Sequence, residues 1–405
     1  MARLAIRANT ARTGVVSLTG AAYAGDVRDS VVYVVGARPN FVKMAPLVSE
    51  MRQRASSLRH VVVHTGQHYD PEMTDLLFED LGLSRPDHLL EVGSGSHGSQ
   101  TARALERVEE ILLQERPLLV VVAGDVNSTL AGAVAAAKLG TLVAHLEAGL
   151  RSFDRSMPEE VNRVLVDQIS DCCLTHSPEA EANLMREGIA QERIHLVGNT
   201  MIDSLVRALP RAQESPILDR LGLDSGRYLL VTLHRPALVD GPGFEAVARA
   251  LVDLSNEIQV VFPVHPRTRA QLDRFELPEG RMALVAPLGY IDFLALEVSA
   301  RGVITDSGGV QEETSFLQVP CFTVRENTER PVTVQQGTNR LLGVDPNALQ
   351  LIPKLLDRPK STMPIAGWDG LASPRAAEAL LRTLESAAGD RFIGTRPEQA
   401  LPGAG

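Results

Sequence analysis

The sequence is poor in aromatic residues and carries no excess of positive charge. Phe, Trp and Tyr together make up 4% of the 405 residues, which argues against surfaces that stack single-stranded nucleic-acid bases. The formal net charge of −10 and the pI of about 5.6 exclude an overall field that would attract nucleic acid or an anionic membrane. We therefore expect neither nucleic acid nor a membrane as a partner.

The sequence also contains few cysteines and no long apolar run. The three cysteines, Cys172, Cys173 and Cys321, form no C-x-x-C pair, so neither a disulfide framework nor a zinc site is predicted. A reducing, cytoplasmic location fits this usage. No run approaches the ~20 apolar residues of a membrane-spanning helix. We expect residues 1–29 to be a disordered extension, with a signal peptide as the less favoured alternative.

What the sequence does contain is a regular alternation of short apolar runs and helical patterns. One series fills residues 30–200 and a second fills residues 201–373. This alternation predicts an α/β protein with two Rossmann-like domains that face each other across a cleft. A final helix over 374–388 is expected to pack back on the first domain, and residues 389–405 are expected to form a loose tail.

The most informative motif is Thr305-Asp306-Ser307-Gly308-Gly309-Val310-Gln311-Glu312-Glu313, which follows an apolar strand-like run. A strand, a Gly-Gly turn and a helix present backbone N–H groups and a helix dipole to a phosphate. Ser307 adds a hydroxyl donor, and Glu313 lies about one turn further on, where it can accept hydrogen bonds from a ribose diol. A strand-to-helix turn without a ligand is the competing interpretation.

Further polar residues follow other predicted strands, where the carboxyl ends of a parallel sheet meet and ligands usually bind. They are Arg38, Lys43, Gln67, His68, Asp125, Glu147, Arg151, Glu159, Arg163, His234, Arg235 and His265. Structural alternatives exist for several of them. Asp125 could cap a helix, and Glu159 could form an i,i+4 pair with Arg163. His234 could be a structural histidine, whereas Glu147 is expected in a glycine-containing loop without a helical partner.

Taken in order, the motifs resemble those of the non-hydrolysing UDP-N-acetylglucosamine 2-epimerases over about residues 31–385. The matching segments include Gly36–Pro39, Thr65–His68, Gly124-Asp125, His145–Arg151, Pro158–Arg163, Gly198–Asp203, Thr232–Arg235, Pro263–Pro266, Thr305–Glu313 and Thr328–Pro331. The resemblance implies a fold like that of the GT-B glycosyltransferases, an active site between the domains, a UDP-sugar substrate and a homodimer. It also implies that neither a metal nor a nicotinamide cofactor is required.

The resemblance assigns roles as well. Asp125, Glu147 and Glu159 would be the acid–base carboxylates, and His234 would act at the diphosphate. We expect three carboxylates in one cleft to raise the pKa of at least one of them. The residues that would bind the substrate or balance its charge are Arg38, Lys43, Arg151, Arg163, His265, Phe293, Ser307, Gly308, Gly309, Glu313 and Arg330. Gln67 and His68 would contact an effector or the sugar.

The implied reaction is reversible epimerisation at C2 of UDP-N-acetylglucosamine through elimination and re-addition of UDP, with a glycal intermediate. Two alternatives remain. One is a hydrolysing epimerase that releases UDP and N-acetylmannosamine, and the other is a non-catalytic UDP-sugar-binding protein. Three segments depart from the family pattern, namely Asn40 after Pro39, Pro236-Ala237-Leu238, and Tyr69-Asp70-Pro71. They leave the exact sugar and any activation by substrate open.

Overall fold

The computed structural model describes residues 29–66, 80, 82, 85–278 and 280–393. The predictions for residues 1–28, for Gln67 and His68, and for residues 394–405 of the expected tail lie outside the described residues. Residues 389–393 were expected in that tail as well, but the C-terminal helix extends through them to Ile393. Within the described part, none of the helices combines the length and the apolar character needed to span a membrane. All three cysteines are buried as free thiols.

The first domain is built on a parallel sheet of seven strands in the order β3-β2-β1-β4-β5-β6-β7. Its central strands β1 and β4 are buried along their whole length, as expected for valine-rich strands covered on both faces. The strands are β1 Ser30–Val35, β2 Arg59–His64, β3 His88–Leu89, β4 Leu119–Ala123, β5 Leu142–Ala148, β6 Cys172–Thr175 and β7 Ile194–Leu196. The described helices between them are α1 Arg38–Arg54, α2 His97–Glu115, α3 Asn127–Lys138, α4 Pro158–Ile169 and α5 Pro178–Arg186, with a 3-10 turn at Gln191–Arg193.

The second domain has a parallel sheet of six strands in the order β10-β9-β8-β11-β12-β13. These strands are β8 Tyr228–Thr232, β9 Gln259–Pro263, β10 Met282–Val285, β11 Gly302–Thr305, β12 Cys321–Thr323 and β13 Asn339–Leu341. The helices from this point of the chain are α6 Thr200–Gln213, α7 Ile217–Leu221, α8 Pro236–Val239, α9 Phe244–Ser255, α10 Pro266–Leu272, α11 Tyr290–Ser299, α12 Gly308–Leu317, α13 Pro331–Gln335, α14 Pro346–Leu349, α15 Ile352–Leu356 and α16 Ala372–Ile393.

Helices α6 and α16 join the two domains. Helix α6 packs against α1 of the first domain and against α11 and α12 of the second. Asp203 on α6 accepts the backbone N–H groups of Ala372 and Ser373 at 3.0 and 2.6 Å, which satisfies two orphan donors in the first turn of α16. Helix α16 then contacts α1 and β6. The predicted fold, with two Rossmann-like domains and a returning C-terminal helix, is confirmed.

Candidate active site

The two domains meet at Glu147, whose carboxylate forms ion pairs with a cation from each side. Lys43 on α1 donates to Oε2 of Glu147, and Arg330 of the second domain donates to Oε1 at 2.8 Å. All three side chains are less than 10% exposed. In this low-dielectric position the charges interact more strongly than they would at the surface. The Glu147 carboxylate therefore connects the carboxyl edge of the first sheet to the second domain.

The backbone of Glu147 has an unusual conformation. Its φ is +73°, a left-handed value that a residue with a long side chain seldom adopts. The pairing of β5 with β6 shifts register between Leu146 and Ala148, so Glu147 occupies a bulge. Such a conformation costs on the order of 1–3 kcal/mol and is found mostly at functional sites. The prediction that Glu147 lies in a loop was wrong, because it belongs to strand β5.

Gly124, at the end of β4, allows the neighbouring loops to approach Glu147. Its φ is +68°, and an added Cβ would lie 3.3 Å from Nδ2 of Asn40 and 3.4 Å from Oε2 of Glu147. Asn40 is buried, and its Nδ2 donates to the carbonyl of Ala123 at 2.9 Å. Its Oδ1 also accepts the N–H groups before α1, which begins at Arg38. A glutamate could not donate to that carbonyl, so Asn40 has a structural role here.

Asp125 forms an ion pair with Arg163 of α4. Although burial opposes ionisation, Arg163, Lys43 and Arg330 hold the pKa of Asp125 below its ordinary value. The expected rise in pKa therefore does not occur at this carboxylate. The N-cap of α3 is Val126, without a side-chain cap, so the alternative that Asp125 caps a helix is wrong.

Glu159 and Arg163 do not form the i,i+4 pair that was the alternative to catalysis. Within the described residues, Arg163 pairs instead with Asp125 and with Glu160, at 3.2 Å in the second case. Glu160 also accepts the N–H and hydroxyl of Ser152 at 2.8 and 2.9 Å. Glu159 is half-buried in the first turn of α4. The Glu159 carboxylate therefore forms no ion pair with Arg163 in the described structure.

Arg330 holds three carboxylates with its three guanidinium nitrogens. Nε donates to Glu312 at 2.7 Å, Nη2 to Glu147 at 2.8 Å and Nη1 to Glu329 at 3.4 Å. Burial disfavours the charge of Arg330, but these carboxylates raise its pKa above the ordinary value. Burial also disfavours the charge of Glu312, yet Arg330 lowers the pKa of Glu312 to about 2. Arg330 thus supplies a buried positive charge that three carboxylates share.

Among the described residues, Glu147, His176 and Glu312 could place three ligand atoms within 4.8 Å of one another. Arg330 donates to both of these carboxylates, so its guanidinium takes the position that a metal ion would need. His176 also packs edge-on against Trp368, with ring centroids 5.9 Å apart, and lies 3.5 Å from Glu312. These contacts explain the cluster without a metal ion.

On the other side of the cleft, Asp306 fixes the segment that carries His234. Its Oδ2 accepts the backbone N–H groups of His234 and Arg235 at 2.9 and 2.8 Å. Nδ1 of His234 lies 3.2 Å from Oδ1 of Asp306. Burial opposes ionisation of Asp306, but the contact with His234 lowers its pKa. The imidazole is 45% exposed, so a ligand can contact it while Asp306 lies beside its Nδ1 atom and orients the ring.

The N-terminus of α12 comes directly after Asp306 in the chain. Ser307 is its N-cap and makes no side-chain capping bond, and the first N–H groups of α12 have no intrahelical acceptor. An added Cβ at Gly308 would lie 2.6 Å from Nη1 of Arg330, so this position requires glycine. One turn later, buried Glu313 accepts the hydroxyl of Tyr290 at 2.9 Å. The arrangement suits a phosphate followed by a polyol.

Three other residues with predicted binding roles have structural contacts. Arg151 pairs with Asp167 at 2.7 Å and with Glu187 at 2.5 Å. His265 accepts a backbone N–H at the N-terminus of α10, and Phe293 packs against the main hydrophobic cluster. Their roles in substrate binding stay predictions.

A family model described as UDP-N-acetylglucosamine 2-epimerase matches residues 50–381 of the chain. The chain belongs to this epimerase family. It is 43% identical over 338 residues to a UDP-N-acetylglucosamine 2-epimerase of Methanococcus maripaludis, covering 80% of this chain and 90% of that protein. A UDP-2,3-diacetamido-2,3-dideoxy-D-glucuronate 2-epimerase of Pseudomonas aeruginosa is 42% identical, with 77% and 88% covered. Among solved structures, the Methanocaldococcus jannaschii UDP-GlcNAc 2-epimerase in complex with UDP-GlcNAc and UDP matches with a TM-score of 0.81 and 37% identity, covering 87% of this chain and 99% of that one.

The candidate site of this epimerase-family protein includes residues that the motif analysis did not assign. His145 contacts Asp167 through Nδ1 at 2.6 Å and the carbonyl of Gly124 through Nε2 at 2.8 Å. Asp167 also accepts the N–H of Gly149 at 3.1 Å, so it braces the loops that follow β4 and β5. His176 directly follows β6, and the rule that polar residues gather at strand ends could have identified it. Glu312 lies inside a quoted motif, but its contact with Arg330 depends on the tertiary fold.

Proposed function

We propose that this protein catalyses reversible epimerisation at C2 of UDP-N-acetylglucosamine, which gives UDP-N-acetylmannosamine. The observation that carries the proposal is Glu147, held in a left-handed conformation between a cation from each domain. Arg330 donates to Glu147 and also lies against the N-terminus of α12, since an added Cβ at Gly308 would clash with its guanidinium. The names of the relatives support the same substrate.

The C2 hydrogen of this sugar is barely acidic, because no carbonyl group is adjacent to it. In the proposed reaction the C1–O bond breaks, and UDP leaves with the bonding electrons. A carboxylate removes the C2 proton, and a C1=C2 double bond forms. Protonation of this glycal at C2 from the opposite face and return of UDP to C1 complete the epimerisation. Each positioned acid or base would contribute about 10²–10⁴-fold to the rate.

We assign the proton transfers to Asp125, Glu147 and Glu159. Because its pKa is lowered, Asp125 is ionised at neutral pH and enters the reaction as a proton acceptor. Glu159 has no ion pair with Arg163 in the described structure, which leaves it available for the chemistry. Lys43 supplies an ammonium group beside Glu147. No metal ion has a role in this proposal.

The second domain would bind UDP. The free N–H groups of α12, with Ser307, Gly308 and Gly309, would hold the diphosphate, and His234 would meet it from the loop after β8. Glu313 would accept hydrogen bonds from the ribose diol, as its distance of about one turn from the helix N-terminus allows. Phe293 would border the uracil.

A second sugar is supported by a specific observation. The Pseudomonas aeruginosa relative, named for a 2,3-diacetamido glucuronate, is 42% identical to this chain, close to the 43% of the Methanococcus maripaludis relative. The proposed C2 chemistry is the same for both substrates, and they differ in an additional acetamido group and a carboxylate. Parallel kcat/KM measurements with the two UDP-sugars would decide between them.

We also propose a cytoplasmic homodimer. Val161, Leu165 and Ile169 form a stripe on α4 at i, i+4 and i+8 and are 36, 48 and 37% exposed. An apolar stripe of this spacing is typical of a helix that packs against a partner. The three free, buried thiols are compatible with a reducing compartment.

Product analysis tests the proposed reaction. Phosphorus and proton NMR of UDP-N-acetylglucosamine with the enzyme should show a mixture of the two UDP-sugars at equilibrium. Accumulation of UDP with free N-acetylmannosamine would instead identify a hydrolysing enzyme. Binding of UDP without any turnover would identify a UDP-sugar-binding protein.

A further inference from the structure

Glu297 on α11 is a buried carboxyl group that the proposed reaction does not use. Its side chain is 0% exposed, and no described N–H or O–H group donates a hydrogen bond to either of its oxygens. A buried carboxyl group without compensation is costly, so its surroundings call for an explanation. The charged group that acts on Glu297 is Glu313, the carboxylate that we assign to the ribose.

Helix α11 presents two side chains to Glu313. Tyr290 and Glu297 are seven residues apart, about two helical turns, and therefore lie on the same face of α11. The hydroxyl of Tyr290 donates to Oε1 of Glu313 at 2.9 Å. Glu297 is buried on this same face of α11, and the charge of the Glu313 carboxylate acts on it. Helix α11 therefore presents two polar side chains on the face that contacts Glu313.

The charges around Glu297 favour its neutral form. The described titratable groups that face it are Glu313 from α12 and Cys321 from β12. Burial raises the pKa of Cys321 to about 12, so this thiol is neutral at physiological pH. Burial, and then the charge of Glu313, raise the pKa of Glu297 well above its ordinary value of 4.5. Two carboxyl groups in such a pair share one proton, because both cannot ionise at close range.

We propose that Glu297 is a positioning residue for UDP binding, which as a neutral acid donates its proton to the Glu313 carboxylate. With the Tyr290 hydroxyl, this proton fixes the orientation in which Glu313 accepts hydrogen bonds from the two ribose hydroxyls. Holding an acceptor in its binding orientation before the ligand arrives saves ordering entropy on binding. The proposal rests on the proposed role of Glu313 in ribose recognition.

A ligand comparison tests the positioning role. Calorimetry would measure UDP and 2′,3′-dideoxy-UDP binding to wild type, Glu297→Gln and Glu297→Met. Glutamine keeps a donor of the same shape, so its UDP affinity should stay within about twofold of wild type. Methionine removes the donor and should weaken UDP binding by about 3- to 10-fold, as expected for one lost hydrogen bond. Neither substitution should change the affinity for dideoxy-UDP, which lacks both hydroxyls.

An equal loss for both ligands in the methionine variant would reveal a packing defect and overturn the proposal. Unchanged UDP affinity in that variant would overturn it as well. A wild-type protein that does not bind UDP would contradict the proposed function. The proton shared by Glu297 and Glu313 can still be tested in that case, by a measurement that needs no ligand.

That measurement is thermal unfolding between pH 5 and pH 8. Above pH 4.5, the ordinary value for glutamate, folded Glu297 keeps a proton that the unfolded chain releases, so stability falls as pH rises. Glu297→Gln has no such proton. Its melting temperature should therefore match wild type near pH 5 and exceed it increasingly toward pH 8. Melting temperatures that change with pH in the same way in wild type and Glu297→Gln would show that Glu297 does not hold this proton.

Discussion

Replacement of Arg330 by methionine would remove the guanidinium that connects the two domains. In the folded protein this group contacts Glu147, Glu312 and Glu329, all of which are buried. Removing one partner of a buried ion pair destabilises a protein by about 3–5 kcal/mol, because the other charge stays buried without compensation. We expect a loss of this size at pH 7.5, a large fraction of the roughly 5–15 kcal/mol that holds a typical protein folded.

The loss should depend on pH. In the wild type, burial alone would raise the pKa values of Glu312 and Glu329. Nearby cations, Arg330 among them, lower both pKa values below the ordinary value instead. Stability from these lowered pKa values is present above the ordinary pKa of 4.5 and is lost only as pH falls toward about 2. Without Arg330 the two carboxyl groups would take up protons at higher pH. The deficit of Arg330→Met should therefore be largest at pH 7–8 and shrink toward pH 5.

Urea unfolding followed by two signals would measure this effect. Far-UV circular dichroism reports the whole chain, and the fluorescence of Trp368, the single tryptophan, reports the buried contact with His176 beside Glu312. Arg249→Met is the matched control, since it breaks an exposed i,i+4 pair and should cost at most about 0.5 kcal/mol. A loss from Arg330→Met no larger than the control, or a deficit independent of pH, would refute the reasoning.

Three further predictions concern chemistry, binding and assembly. Asp125→Asn and Glu159→Gln should each lower turnover by about 10²–10⁴-fold with unchanged UDP affinity, and wild-type turnover in either variant removes that carboxylate from the mechanism. Glu159→Gln should keep the wild-type melting temperature, whereas Asp125→Asn should lower it, because buried Arg163 loses a charge partner. In calorimetry, Ser307→Ala should weaken UDP binding by about 0.5–1.5 kcal/mol and Glu313→Ala by about 1.5–3 kcal/mol, whereas unchanged affinity in both contradicts the placement of UDP. Leu165→Glu should give a monomer in light scattering after size exclusion, and a dimer that persists argues against an interface on α4.

The main strands could be predicted because each is a continuous apolar run that ends at polar or glycine residues. Val31–Val35 of β1 and Val303–Thr305 of β11 show this pattern, and both are central strands buried on two faces. Strand β13 was not predicted, since its three residues, Asn339-Arg340-Leu341, carry no apolar run and form the edge of the sheet. The two-residue edge strand β3 was missed for the same reason.

The identity of many site residues could be predicted from their position after strands, but their partners could not. A pair between Arg163 and Glu159, four residues away, was the structural alternative, and Arg163 instead joins Asp125 from another loop. The left-handed conformation of Glu147 leaves no trace in the local sequence, because register with β6 determines it. Glu297 gave no signal either, since an acidic residue on an amphipathic helix is ordinarily exposed. Such features depend on contacts between segments far apart in the chain.

In the proposed reaction, UDP leaves and returns while a proton is exchanged at C2. Incubation of UDP-N-acetylglucosamine with the enzyme in deuterium oxide, followed by proton NMR, measures this exchange. We expect both epimers of the UDP-sugar to acquire deuterium at C2, and Asp125→Asn to slow this exchange together with epimerisation. Substrate that stays unlabelled after long incubation with folded, UDP-binding enzyme would rule out proton exchange at C2.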